Sequence, residues 1–284
     1  MSATALKATG RRHARSMLTA MGRLTAAHRM RPGFLIAGAQ RCGTTSLFRM
    51  LAEHPDVRPP LITKGIHYFD TADRFARGPE FYGGHFPLRR AGEQPATITG
   101  EASPYYLFHP LAAARIAAEL PSVKVIVLLR DPIERAFSAY KQETGRGFET
   151  LPFEQALEEE PQRLDGEVQK MVADSSYQSF SHQHHAYVGR GQYAEQLERM
   201  FAAVGRPNVA VLDADQFLAP GMKQWPELMD FLELRHWNPT GPIQANSRPG
   251  PPMPQSVRDI LDGQFDDSNE RLPKILGYEP SWCR

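Results

Sequence analysis

The sequence predicts an α/β fold, an open parallel sheet with helices on both faces. Two observations carry that expectation. Short apolar runs at Phe34–Ala37, Lys124–Arg130 and Asn208–Asp213 have the character of strands buried on both faces. Segments with helical spacing follow each of them, and alternation of this kind gives a parallel sheet. In such sheets ligands bind beyond the carboxyl ends of the strands. The 284 residues can bury one large core, with 41% hydrophobic and 23% charged residues.

Taken in order, Phe34–Ala37 is the first strand, and Thr44, Thr45 and Ser46 open a helix that continues through Leu47, Met50 and Leu51. Residues 96–101 read as a second strand with Glu101 at its carboxyl end, and Pro110–Leu120 as a helix with a proline start. Lys124–Arg130 is the clearest strand. Asp131–Pro132 opens the next helix, with Ile133, Phe137 and Tyr140 on one face. Residues 151–160 and 163–174 read as charged helices, and Gly189–Gly191 leads into an amphipathic helix through Tyr193, Leu197 and Met200. A helix around Glu227–Leu234, a Pro/Gly-rich loop at 238–254 and a single closing helix from Ser256 to Leu276 complete the chain.

Between the first strand and its helix, Gly38 and Gly43 flank a polar turn. Strand, glycine loop and helix N-terminus make an anion cradle, so the fold is P-loop-like. A Walker A loop needs lysine after its second glycine. Thr44 stands there, and the cation lies upstream as Arg41. Eighty-nine residues after Arg41, Arg130 ends a strand and Ser138 follows eight positions later in a helix. A guanidinium and a hydroxyl so placed can clamp a phosphate.

These two constellations resemble the sulfotransferases that use PAPS (3′-phosphoadenosine 5′-phosphosulfate). The nearest resemblance is to the glycan enzymes of heparan sulfate type and to bacterial sulfotransferases. Lys64-x-x-His67-Tyr-Phe-Asp70 resembles their K-E-x-H-F-F-D segment, and Gly100–Tyr105 their G-E-x-S-P stretch. Arg190-Gly-Gln-Tyr193 resembles R-G-x-Y, Asn246-Ser-Arg248 a late N-x-[KR] loop over the nucleotide, and Leu276–Trp282 a closing L-G-x-x-x-x-W. The resemblance covers residues 33–284 as one sulfotransferase domain. It implies the sulfotransferase fold and in-line transfer of a sulfuryl group from PAPS to a hydroxyl, leaving adenosine 3′,5′-bisphosphate (PAP). It implies that Arg41, Cys42, Gly43, Thr44, Thr45 and Ser46 hold the 5′-phosphosulfate, and that Arg130, Ser138, Tyr193 and Arg248 complete the nucleotide site.

Two positions depart from the pattern. Arg41 replaces the usual loop lysine, and Gly65 replaces the glutamate often assigned as base. Glu101 is the first candidate for that role, His67 the second, and Lys64 is placed to hold sulfate or acceptor oxygen. Cys42 reads as a small loop filler, because Phe48 stands where a C-x5-R phosphatase loop needs arginine. No metal is expected; His182, His184 and His185 are the best cluster for one, and their Ser/Gln-rich surroundings read as an exposed loop. The acceptor is expected to be a glycan, glycolipid or small molecule. A P-loop kinase or NTPase, and a PAP-binding protein without catalysis, are the competing readings.

Net charge is +1, without a nucleic-acid footprint, and two widely separated cysteines suit a reducing, cytoplasmic setting. Residues 1–32 carry only basic charge, with Met17, Leu18, Met21 and Leu24 as a weak apolar stripe. They read first as a flexible basic leader. A helix on an anionic membrane surface is the second reading, and an organelle transit peptide the third.

Overall fold

The computed structural model describes residues 21–92, 94, 96–219, 221–241 and 252–283. Four parallel strands, β1 (Phe34–Gly38), β2 (Gly100–Ala102), β3 (Lys124–Leu129) and β4 (Val209–Asp213), lie in the order β2-β1-β3-β4. Every residue of β1 is buried, as its unbroken apolar run requires. The chain leaves β1 for β2 on one side and then crosses to β3 on the other. The crevice between β1 and β3 is therefore the switch point of the sheet, where ligands of such folds bind.

The helices that matter to the site are α1 (Thr44–Glu53), α2 (Ala112–Glu119), α3 (Pro132–Arg146), α4 (Phe180–His184), α5 (Tyr193–Val204), α6 (Gln255–Leu261) and α7 (Asp266–Leu276). They flank the sheet, and the main core gathers Phe34–Ala37, Val125–Leu129, Leu47, Leu51, Leu197 and Trp225. A smaller core joins Phe137, Phe153, Tyr187 and Phe265. No helix among the described residues is long and apolar enough to cross a membrane.

Several boundaries differ from the sequence reading. The strand expected at 96–101 is only Gly100–Ala102, because Ile98 pairs instead with Val57 in an isolated bridge. The single closing helix is two, separated at 262–265 where Gly263 takes φ +74, a left-handed turn that glycine adopts without strain. Gly166 (φ +69) likewise separates the helices Phe153–Leu164 and Glu167–Ala173. The histidine cluster is not an exposed loop: His182 and His185 are buried, and His182 and His184 belong to α4. Burial drives the His182 pKa down to about 3. Among the described residues no group of three or more His, Cys, Asp or Glu is arranged to hold a metal. Arg248 and Asn246 of the expected nucleotide-covering loop, and the first part of the basic leader (1–20), lie outside the described residues.

Candidate active site

The loop after β1 is shaped by close approaches. A Cβ on Gly38 would lie 2.6 Å from Leu107 Cβ, and Gly43, at φ +86, caps α1 in a conformation suited to glycine. Between them Arg41 is held at φ +74, and His67 across the cleft is held at φ +51. A non-glycine residue in the left-handed region costs about 1–3 kcal/mol, and such positions concentrate at functional sites. Two of the sequence candidates thus sit on strained backbone.

Arg41 joins the two predicted phosphate-binding regions. Its Nε donates to Ser138 Oγ at 3.0 Å, and its Nη1 donates to Gln142 Oε1. Ser138, Gln142 and Arg146 recur every four residues on α3, so one face of that helix turns toward the loop. Arg130, at the end of β3, keeps its Nε buried without a protein partner. An orphaned guanidinium nitrogen beside an anion cradle fits a phosphate ligand.

A cleft of about 380 Å³ opens at the carboxyl ends of the strands. Arg41, Thr44, Thr45, Lys64 and His67 line it, together with Arg146, His184 and Arg190. No aspartate or glutamate appears among its described lining residues, which suits an anionic ligand. Burial, reinforced by Arg49 and opposed by Glu101, lowers the Lys64 pKa.

Arg190 was legible only as part of a motif, yet it is one of the best-fixed cations here. It is buried, donates to Gln40 Oε1 and to Gln183 O at 2.6 Å, and lies 4.6 Å over the Tyr105 ring. Desolvation lowers its pKa to about 10. The aromatic ring of Tyr105 lines the cleft, whereas Tyr68, Phe69, Phe81, Tyr82 and Tyr106 are core.

Glu101 does not reach the cleft. It is 0% exposed, and Ile66 N, Tyr82 OH, Ser103 Oγ and Tyr106 OH donate to it at 2.9, 3.3, 2.5 and 2.5 Å. A carboxylate offers about four lone-pair sites. All are filled, so no site remains for an acceptor proton. Burial still pushes its pKa above the ordinary range, against the pull of these donors. The first-choice base is thus a scaffold: through Ile66 N, and through Ser103 Oγ, which accepts from His67 N at 2.9 Å, it ties segment 64–67 to β2.

His67, the second candidate, does line the cleft. Its Nδ1 lies 2.8 Å from Asp70 Oδ2, and its side chain is 37% exposed while that of Asp70 is 1%. A Cβ added at Gly65 would stand 3.4 Å from His67 Nε2, so the imidazole borders the space a residue-65 side chain would enter. Burial opposes the imidazolium, but the charge and hydrogen bond of Asp70 outweigh it and raise the His67 pKa. His184 makes a second pair, with Glu143 at 2.9 Å, but that carboxylate also serves Arg146, and Phe148 and Phe180 crowd the ring.

Tyr193 and Cys42 act behind the site. Tyr193 is fully buried and donates to Arg130 O at 3.0 Å, with Cys42 Sγ 3.8 Å from its hydroxyl. It braces the end of β3 against the loop instead of reaching the cleft. Burial pushes the Cys42 thiol up to about 11, consistent with a filler and not a nucleophile.

Comparison with known proteins points one way. The sulfotransferase domain family profile matches residues 31–244. The chain is 24% identical to the membrane-associated sulfotransferase kil1 of Dictyostelium discoideum, over 88% of this chain and 66% of that protein. It is also 24% identical to bifunctional heparan sulfate N-deacetylase/N-sulfotransferase 4 of Mus musculus, over 89% of this chain but 31% of that protein. The chain thus spans just under two-thirds of the first relative and under a third of the second. The crystal structure of a sulfotransferase from Alicyclobacillus acidocaldarius superposes with a TM-score of 0.70 at 28% identity, over 89% of this chain and 99% of the other.

Proposed function

The chain belongs to the sulfotransferase domain family, whose members in general take sulfate from PAPS, and on that premise we propose that it transfers the sulfuryl group of PAPS to a hydroxyl acceptor. The observation that carries this reading is the meeting of Arg41 with Ser138, which unites the 5′ loop and the 3′-phosphate motif into one site at the sheet's switch point. PAPS supplies the activated sulfur and a good leaving group. The residues present suit it: loop N–H groups, Thr44 and Thr45 for the 5′ side, Arg130 and Ser138 for the 3′-phosphate.

His67 Nε2 takes the acceptor's hydroxyl proton as its oxygen forms the new bond to sulfur. The bond from sulfur to the 5′-phosphate oxygen breaks, and PAP leaves with the electron pair. Arg41 and Lys64 balance the charge that grows on that oxygen. Arg41 contributes charge and hydrogen bonds but is a poor proton donor, which leaves Lys64, its pKa lowered by burial, as the group suited to protonate the leaving oxygen. Asp70 holds the imidazole tautomer with Nδ1 protonated, so that Nε2 faces the cleft as acceptor.

The acceptor we favour is a sugar hydroxyl on a glycan or glycolipid. Support comes from the heparan sulfate sulfotransferases among the relatives and from Tyr105 in the cleft wall. The two free cysteines suit a reducing, cytoplasmic setting.

Incubation with ³⁵S-labelled PAPS tests the activity: transfer to an acceptor, or slow release of sulfate and PAP, is expected. Binding without turnover would instead favour a PAP-binding protein, the reading that Arg41 and Gly65 suggest. Arg130→Ala should weaken PAP by about 10–100-fold and 5′-AMP by less than about threefold. Equal losses measured by calorimetry would contradict the 3′-phosphate clamp.

A further inference from the structure

The face at the amino ends of the strands carries a feature the transfer reaction does not use. Gly33, which donates to Thr99 O at 2.8 Å and accepts from Lys124 N at 2.9 Å, marks that end of the sheet, opposite the cleft. Residues 21–24 are helical there, and Gly22 lies so close to Gly84 that a Cβ on it would come within 2.2 Å of Gly84 O. At about 100° per residue, Leu24 projects away from the side on which Gly22 is pinned, and Met21 lies a quarter-turn off it. Leu24 is 88% exposed and Met21 61%.

The segment is firmly attached below this point. Met30 N donates to Pro87 O at 2.9 Å, Arg89 N to His28 O at 3.0 Å, and Arg29 Nη1 to Phe86 O at 2.6 Å. Leu88, 45% exposed, lies in this pairing, and Leu61, 52% exposed, is joined to it through Leu61 N and His85 O. Four large apolar side chains are therefore carried on backbone segments that are tied to one another, and all four are left in solvent.

The same segments carry arginines. Arg23, Arg31, Arg89 and Arg90 are exposed, and Arg58 donates to Leu88 O at 2.9 Å. Glu80 and Glu119 border the adjoining hollow and are its acids. In the sequence Lys7, Arg11, Arg12, Arg15, Met17 and Leu18 come just before, and no acidic residue occurs before Glu53. A second group of exposed apolar residues, Val168, Val172, Tyr177 and Phe180, has Asp165, Glu167 and Asp174 beside it, with Lys170 paired to Glu167. Apolar side chains in the company of arginines distinguish the amino-end face from it.

We propose that this face docks the protein on an anionic phospholipid bilayer. Met21 and Leu24 enter the boundary between headgroups and acyl chains, while the arginines meet lipid phosphates. Because the cleft lies at the other end of the strands, docking on this face leaves it open to the aqueous phase.

Flotation of the full chain with phosphatidylcholine vesicles, and with vesicles that also contain phosphatidylglycerol, tests this. Binding is expected to the anionic vesicles alone and to weaken with salt. The double variant Met21→Ser/Leu24→Ser should lower the partition coefficient by about tenfold or more. Arg23→Glu should also lower it, and Val172→Ser should leave it unchanged. Melting temperature and PAP affinity establish that each variant is folded. Failure of the wild-type chain to float would overturn the proposal, as would undiminished binding by the folded double variant. Capture of duplex DNA without vesicle binding would make the arginines a nucleic-acid surface and would equally overturn it.

Discussion

Glu101 on β2 and His67 on the neighbouring loop lie within one hydrogen-bonded network, linked through Ser103, yet their surroundings are opposite. Glu101 is sealed and takes four donors, so its charge is spent on holding chain to chain. His67 is part-exposed and tied at one nitrogen, which leaves the other for chemistry. A titratable group at the end of a strand is not thereby a catalytic one. What separates base from scaffold is unspent acceptor capacity facing the cleft.

The sharpest way to break this contrast is His67→Ala. Loss of a general base lowers kcat by about 10²–10⁴-fold, while PAP affinity should change by less than about twofold, because His67 touches none of the proposed phosphate ligands. A variant with near-normal turnover on labelled PAPS would remove His67 from the mechanism and leave the acceptor to lose its proton unaided.

Glu101→Gln probes the other side. The amide would turn an NH₂ toward groups that already donate, leaving at least one of Ile66 N, Ser103, Tyr82 or Tyr106 unpaired. That costs about 2–4 kcal/mol, or a fall in melting temperature of about 5–10 °C. Turnover measured where the variant is folded should survive within about tenfold. An unchanged melting temperature with turnover abolished would return Glu101 to the role of base.

This pair also marks how far the sequence could be read. The strands were legible because residues buried on both faces must be apolar; Arg41, Arg130 and Ser138 stood out through their resemblance to phosphate-binding motifs, and the fold brings Arg41 against Ser138. Glu101 misled because its position along the chain says nothing of its donors: Tyr82 comes from an earlier segment and Tyr106 from the turn five residues on, and only folding brings their hydroxyls to one carboxylate. That Arg190 and His184 line the cleft was hidden in the same way, since α4 and the turn before α5 reach it only through tertiary packing. Gln142 and Arg146 did leave a signal, the four-residue spacing from Ser138 along α3. The split of the last helix at Gly263 was readable too, as a glycine inside a long amphipathic run.

Asp70→Asn is a milder change at the proposed base than its removal, and the most specific of these tests. Asp70 touches no proposed substrate atom; it acts through the His67 ring, so its loss is expected to lower the plateau rate by about 10–100-fold, less than loss of the base itself. The base works only when neutral, and activity therefore rises with pH through the His67 pKa. Asp70 raises that pKa against the opposing effect of burial. Without the carboxylate, burial prevails and the pKa falls, so the rising limb of the kcat profile moves to lower pH. The ratio of variant to wild-type rate is then highest on the acid side and declines toward neutrality. A limb that stays in place while the rate drops would mean that Asp70 supports the loop and not the charge of His67. A structural role alone cannot move the limb.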